Sequence, residues 1–452
     1  MSHLSQDVAQ RPAWSADHAT KLERIARQLR QRDGARPVWI RKRATAHEVP
    51  KAHDLKLSDE PIDIGDLDEV LSIDPDARVC VAEPGVTFVD LVAATLKHGL
   101  VPLVVPELKT ITIGGAVSGC SLESASFQYG GFADSCLEYE LLTARGEVLV
   151  CTPENEHRLL FQMIHGAFGT LGVLTRLKFR LVPAKPFVHV VYEQHQTLAA
   201  YKAAIWGHFE RRDVDFMDGI IHSPTEWSLC AGRFVDRAPY THRYDWTRVY
   251  YRTTRTRDED YLRTPDYYFR YDHGVTNVHP KSFIGRLLFG RLIGSEQALR
   301  VARLLSRLLP DGQPRITVDT FIPFSKVEAF MEWYQPTFGH FPIWCVPYRR
   351  VRDYEWLSSR FFDGLDDRLF LDLAIYGMRQ PPGANLHVAL EEKLLELGGL
   401  KTLISHNYYS REDFWKTWNR ENYEAVKAAT DPDNVFRDLY DKTCRAPHGL
   451  QA

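Results

Sequence analysis

The stretch Pro106 to Thr175 constrains this chain most. It begins Pro106-Glu-Leu-Lys-Thr-Ile-Thr-Ile-Gly-Gly115, continues Ala116-Val-Ser-Gly-Cys-Ser-Leu-Glu-Ser124, and closes with Gly169-Thr-Leu-Gly-Val-Leu-Thr175. Gly114, Gly115 and Gly119 alternate with short apolar residues. Without a Cβ at those points, backbone N–H groups can approach a flat ligand or a diphosphate closely. Gly169 and Gly172 form a second turn, leading into the strand-like run Val173 to Val182. Glycines alone fit two ordinary tight turns equally well.

The surrounding order of elements separates the two readings. Val79 to Ala82 reads as a strand running into Glu83-Pro84-Gly85. Thr87 then caps a helix, with Asp90 three residues on as in a capping box and Gly99 to end it. This order resembles the FAD-binding domain of the vanillyl-alcohol oxidase / p-cresol methylhydroxylase superfamily, and more narrowly its Δ24-sterol reductase (Diminuto/seladin) branch. The matching segments are Val105-Pro-Glu-Leu108, Thr112-Ile-Gly-Gly115, Leu122-Glu-Ser124, Tyr129-Gly130, Cys151-Thr-Pro153 and Gly169-Thr-Leu-Gly172. Phe341-Pro-Ile-Trp344 with Pro347, Ser410-Arg-Glu-Asp-Phe-Trp415 and Leu439-Tyr-Asp-Lys442 follow, so the likeness runs from about Lys51 to Arg445.

The resemblance implies an α+β fold: a two-subdomain FAD-binding domain with an inserted α+β cap, or substrate, domain. The expected divisions are 1–184 for the FAD-binding domain, 185–398 for the cap, and 399–452 for a segment returning to the FAD domain. Pro183-Ala-Lys-Pro186 reads as the linker, and Asp431-Pro-Asp-Asn-Val-Phe436 as the returning signature. Local patterns predict a helix over 15–33, a strand at Val38–Arg43, and strands at Ile62–Ile73 and Arg78–Ala82 around Asp74-Pro-Asp76. They also predict a hairpin through Arg145-Gly146, a helix from Thr152-Pro153 to about Gly166, a strand at Lys401–Tyr409, and a helix capped by Ser410.

Composition narrows the chemistry. The 452 residues hold ample apolar content for two or three domains. A net charge of −3 gives no basic surface for nucleic acid. The seven cysteines are scattered without metal-ligand spacing, which fits reduced thiols in a cytoplasmic protein and no metal site. Met1 to Pro12 has no signal-peptide core, and no run reaches the roughly 18 apolar residues of a spanning helix. The sterol reductases carry such an anchor, so its absence suggests a soluble or peripheral enzyme. No GxGxxG after a strand, no GxSxG and no P-loop is present, which leaves hydride chemistry to a flavin.

By resemblance, the cofactor contacts fall on Pro106, Glu107, Leu108, Thr110, Thr112, Ile113, Gly114, Gly115, Gly119, Cys120, Ser121 and Ser124. They continue on Gly169, Thr170, Gly172 and Val173. No histidine lies between Pro106 and Gly119 to tether the flavin, so FAD is expected to be non-covalent. The superfamily's glycine-rich diphosphate loop has no counterpart in Ala44-Thr-Ala-His-Glu-Val-Pro50; charge on Arg41, Lys42 and Arg43 is a substitute.

The reaction implied is NADPH-driven reduction of an isolated C=C in a lipid, either a sterol side chain or a methylene-branched fatty acyl chain. Such a bond accepts hydride only if an acid protonates the other carbon. Glu123, His406, Tyr408 and Tyr129 are the candidate acids; Glu123 reads equally well as a structural cap or pair, and a lone histidine or tyrosine more often as a satisfied core residue. Oxidation of an alcohol or sugar is the competing reaction, and a flavoprotein kept for binding is a third. The apolar, basic-flecked stretch His279–Gly294 is a candidate rim for transient membrane contact, with a buried helix as the alternative.

Overall fold

The computed structural model describes residues 15–44, 47–51, 53–244, 248–272 and 314–450. The stretch His279–Gly294 lies outside the described residues.

The N-terminal helix runs from Ser15 to Gln31 and buries Leu22, Ile25, Ala26 and Leu29, one stripe at helical spacing. That stripe covers a small parallel pair, β1 (Val38–Arg41) and β2 (Glu60–Asp63). Next come β3 (Val70–Asp74), β4 (Val79–Ala82), β5 (Leu100–Pro102), β6 (Cys136–Leu142), β7 (Val148–Cys151) and β8 (Val173–Pro183). They form an antiparallel sheet in the order β3-β4-β8-β6-β7, with β5 also paired to β8. The predicted cap is present: Thr87 accepts from Asp90 N, the helix Phe88–Thr95 follows, and Gly99 ends its last turn at φ +69°.

The second half is one eight-stranded antiparallel sheet. Its strands are β9 (Phe187–His195), β10 (Phe216–Ser223), β11 (Glu226–Val235), β12 (Glu259–Arg263), β13 (Ile316–Pro323), β14 (Ile343–Arg349), β15 (Leu369–Met378) and β16 (Leu400–Lys401), in the order β12-β9-β11-β10-β14-β15-β13-β16. Pairing of Val346 with Asp372 and of Phe321 with Asp372 fixes which side chains share a face. Ile343, Cys345, Leu369, Leu371, Leu373 and Val318 point one way, into a core that includes residues of the helices Leu198–Arg211, Val327–Thr337 and Leu386–Leu397. Trp344, Val346, Phe370, Ala374 and Phe321 point the other way and join the core of the FAD-binding half.

The chain then returns. Val38 N donates to Val435 O (2.8 Å), Val38 bridges Phe436 in parallel, and Lys427 Nζ donates to Thr170 O (2.8 Å). Ser410 caps the helix Arg411–Thr417 as expected, accepting from Asp413 N.

Three local expectations are corrected. Ile62–Ile73 is not one strand: Gly65 N donates back to Asp63 Oδ1 (2.8 Å), and the turn separates β2 from β3. The helix expected from Thr152 begins only at Arg158, because Thr152 and Asn155 close a side-chain turn on one another. Of the expected Lys401–Tyr409 strand only Lys401 pairs, as the end of Leu400–Lys401; beyond it Asn407 Nδ2 donates to the carbonyls of Leu403, Ser405 and Thr443, and the chain loops.

Candidate active site

Three separate segments meet around the first glycine stretch. The helix Ile113–Ser118 is capped by Thr112 and sits against Pro84; a Cβ on Gly114 would lie 2.5 Å from that of Pro84. The turn Gly166–Gly169 packs beneath it, Gly166 N donating to Val117 O and Phe168 N to Ser118 O (both 3.2 Å). The loop after β1 crosses above: Lys42 Nζ donates to Thr112 Oγ1 (3.1 Å) and His47 Nε2 lies 2.9 Å from Thr110 Oγ1. From the C-terminus, Lys442 Nζ donates to Phe168 O (2.6 Å) and lies 4.0 Å from where a Gly169 Cβ would stand.

These residues fit an FAD. Gly115, Gly119, Gly166 and Gly169 present bare backbone, and Lys42 and Lys442 would supply cations for a diphosphate. Burial and the neighbouring Lys56 push Lys442 down to about 8, the signature of a cation set close to its own kind. Of the three basic residues offered as substitutes for a glycine loop, only Lys42 turns inward. Arg41 pairs with Asp63 and Arg43 with Asp68, each at 2.7 Å.

Beyond Gly119 the surface opens into a cleft with about 840 Å³ of space between its walls, part of it open to solvent. One wall is Gly119, Cys120, Gly131, Ala133, Asp134 and His165. The facing wall is the FAD-side face of the large sheet, with Phe321, Tyr348, Phe370 and Leu400. The loop Tyr354 to Phe362, with Trp418, closes one side. Burial pushes the Cys120 thiol up to about 12 and His165 down to about 3, so both are neutral at pH 7.

Asp134 is the one carboxyl among these lining residues, which also include Arg350 and Lys401. Its Oδ1 accepts from Arg352 Nη2 (2.7 Å); its Oδ2 accepts from Gly131 N (2.8 Å), Tyr354 OH (3.0 Å) and Tyr348 OH (3.3 Å). The two phenol oxygens are 2.5 Å apart.

The same sheet face carries three aspartates. Asp218 on β10 lies beside Ile220, which pairs Trp344; Asp319 and Asp372 flank Phe321. Glu107 and Glu123 approach from the glycine stretch. Burial, then Glu123 and Asp319, push Glu107 up to about 8. Burial, then Asp319 and Glu107, hold the Asp372 carboxyl far above its usual range. Arg270 meets Glu123 and Asp218, and its charge pulls the Glu123 carboxyl down against the burial that raises it.

The four candidate acids do not line the cleft. Glu123 is 1 % exposed, bonded to Ser124 and paired with Arg270. His406 is buried and pushed down to about 3, so it is neutral and carries no imidazolium proton to give. Tyr408 packs tilted against His448 with ring centroids 4.5 Å apart, and its N donates to Glu391. Tyr129 ends the short helix Ser126–Tyr129.

The expected cofactor residues divide in the same way. Gly119 and Cys120 stand in the cleft, Thr110, Thr112 and Gly115 lie under Lys42 and His47, and Ser121 O accepts from Phe132 N. Gly172 and Val173 serve packing, a Gly172 Cβ coming 2.8 Å from Leu142 O. Lys442, Asp134, Tyr348 and Tyr354 were missed, although Lys442 closes one of the matched motifs.

A family model described as an FAD binding domain matches residues 17–152. The chain carries an FAD-binding domain of the p-cresol methylhydroxylase type and is an FAD-linked oxidoreductase. Over most of its length it is distantly homologous to Delta(24)-sterol reductases. It is 25% identical to that of Homo sapiens over 84% of this chain and 76% of the relative. It is 23% identical to that of Arabidopsis thaliana over 94% of this chain and 84% of the relative. Cytokinin dehydrogenase 5 of A. thaliana is 27% identical over 32% of this chain and 28% of its own. Among the described residues no helix is long and apolar enough to cross a membrane.

Proposed function

We propose that the protein uses NADPH to reduce an isolated carbon–carbon double bond in a lipid, either a sterol side chain or a methylene-branched acyl chain. The observation that carries this reading is the cleft wall. Phe321, Leu357, Phe361, Phe370, Leu400 and Trp418 offer a long apolar surface, with Asp134 the one carboxyl among the lining residues. A hydrocarbon chain satisfies such a wall, whereas a sugar would leave hydroxyls facing rings that cannot bond them.

Bound FAD supplies the hydride transfer. The protein's own residues seat the lipid, exclude water and provide the proton that an unconjugated double bond needs. Similarity to the Delta(24)-sterol reductases over 84–95% of the chain supports the reading. The likeness to a cytokinin dehydrogenase is confined to a third of the chain and speaks for FAD more than for a substrate.

Anaerobic stopped-flow tests the proposal. NADPH is expected to bleach the flavin, and a Δ24-sterol or a methylene-branched octadecanoyl ester to restore the yellow form. Bleaching by alcohols alone would replace this reading with alcohol oxidation.

A further inference from the structure

The reduction needs an acid that reaches the substrate, and the buried carboxyls divide clearly on that point. Glu107, Asp319 and Asp372 lie off the cleft walls, and Glu123 is committed to Arg270. Asp134 lines the cleft, as do both phenols hydrogen-bonded to it. Resting on the lipid-reduction reading, we propose that Asp134, acting through the Tyr354–Tyr348 pair, delivers the proton to the double bond.

The geometry is that of a short relay. Asp134 Oδ2, Tyr354 OH and Tyr348 OH lie within 3.3 Å of one another. Tyr348 comes from β14 and Tyr354 from the loop beyond it, so both phenols approach from the wall opposite the glycine stretch. Arg352 Nη2 and Gly131 N hold the carboxylate left behind.

The sequence around Asp134 is shaped to seat it. Gly130 has φ +78°, and a Cβ there would collide with Asp134 Oδ2, which accounts for the Tyr129-Gly130 motif. Burial pushes the Asp134 carboxyl above its ordinary range while Arg352 pulls against it. Around it stand Arg352, Tyr348 and Tyr354 from the far wall, and Cys120, Cys136 and His165 from its own side.

The step balances. A proton leaves the Asp134 carboxyl, passes from phenol to phenol and adds to one alkene carbon. The π electrons form that C–H bond, and the other carbon takes the hydride that NADPH would supply by way of bound FAD. Asp134 recovers its proton from water. The alkene, NADPH and one proton give the saturated chain and NADP⁺.

The test compares wild-type holoenzyme with Asp134→Asn, Tyr354→Phe and Tyr348→Phe, each checked for FAD content and thermal melting. Reduction by NADPH is expected to stay within twofold. Reoxidation by the two lipid probes is expected to slow about 100-fold in Asp134→Asn, as for loss of a general acid. The solvent deuterium isotope effect on reoxidation is expected to rise in every folded variant; a merely structural residue would leave it unchanged. If Asp134→Asn does not fold, the two phenylalanine variants decide alone. Reoxidation within twofold of wild type, with an unchanged isotope effect, overturns the relay alone. A wild-type flavin bleached by NADPH yet untouched by either lipid overturns the reduction reading and the relay with it.

Discussion

Arg270 Nη2 lies 3.0 Å from Glu123 Oε1, and neither side chain is more than 2 % exposed. The same nitrogen lies 3.0 Å from Asp218 Oδ1, and the guanidinium carbon stands 4.0 Å over the centre of the Tyr267 ring. Glu123 belongs to the glycine stretch and Asp218 to the large sheet, so one cation joins the two halves of the molecule.

Breaking that junction should cost stability more than chemistry. Arg270→Met leaves two buried carboxyls facing each other without a cation, a loss of about 3–5 kcal/mol. Urea unfolding followed by tryptophan fluorescence would measure it. Glu123→Gln keeps a hydrogen-bonding partner for Ser124 and should leave flavin reoxidation within threefold of wild type.

A second prediction concerns cofactor retention. Lys442→Ala and Lys42→Ala should each weaken FAD binding about 10- to 100-fold, the range for losing a charged hydrogen-bond donor. Because burial and Lys56 bring Lys442 down to about 8, FAD affinity should fall as pH rises through 8 in wild type. In Lys442→Ala that dependence should flatten. Titration of apoprotein with FAD, read by flavin fluorescence, checks both.

His18 gives a pH signature of its own. Nδ1 lies 2.8 Å from Glu83 and Nε2 2.7 Å from Glu140. Burial alone would lower its pKa, but Glu140 and Glu83 outweigh it and raise the imidazole to about 9. A folded pKa above the unfolded value stabilises fully below about pH 6.5 and is lost as pH rises through 9. His18→Gln should therefore cost about 2–3 kcal/mol at pH 6 and far less at pH 9.5. Equal losses at both pH values would show that the imidazole is not charged.

Gly130→Ala tests the seat of Asp134. It should cost about 1–2 kcal/mol of stability for the positive φ and slow flavin reoxidation, with FAD still bound. Normal reoxidation in this variant would mean that Asp134 tolerates displacement.

Elements set by neighbours in sequence were legible in advance. Thr87 with Asp90, Gly99, the Arg145-Gly146 hairpin and the Ser410 cap all depend on contacts within a few residues. The glycine stretch was readable for the same reason, since its function is to lack side chains. Long-range determinants were not. Asp134 gains its meaning from Tyr348, Arg352 and Tyr354, more than two hundred residues away. Glu123 read equally as an acid and as a structural pair until Arg270 supplied a partner from the other half of the chain. Lys401–Tyr409 failed as a strand because Asn407 takes up carbonyls that a sheet would have used.

Residues 119–134 carry two fittings at once. Gly119, Cys120, Gly131 and Asp134 face the cleft, while Glu123 is anchored by Arg270 and Ser124 O accepts from Met217 N at 2.7 Å. The reactive wall is thus the front of a segment bolted down from behind, a few residues from its own fastening. Selection for a bulkier or slimmer lipid can act freely on the opposite wall, at Phe321, Phe361 or Phe370. A change in the fastened segment shifts the acid and the cofactor's resting place together, so new substrates in this lineage would be gained by resculpting one jaw and leaving the other alone.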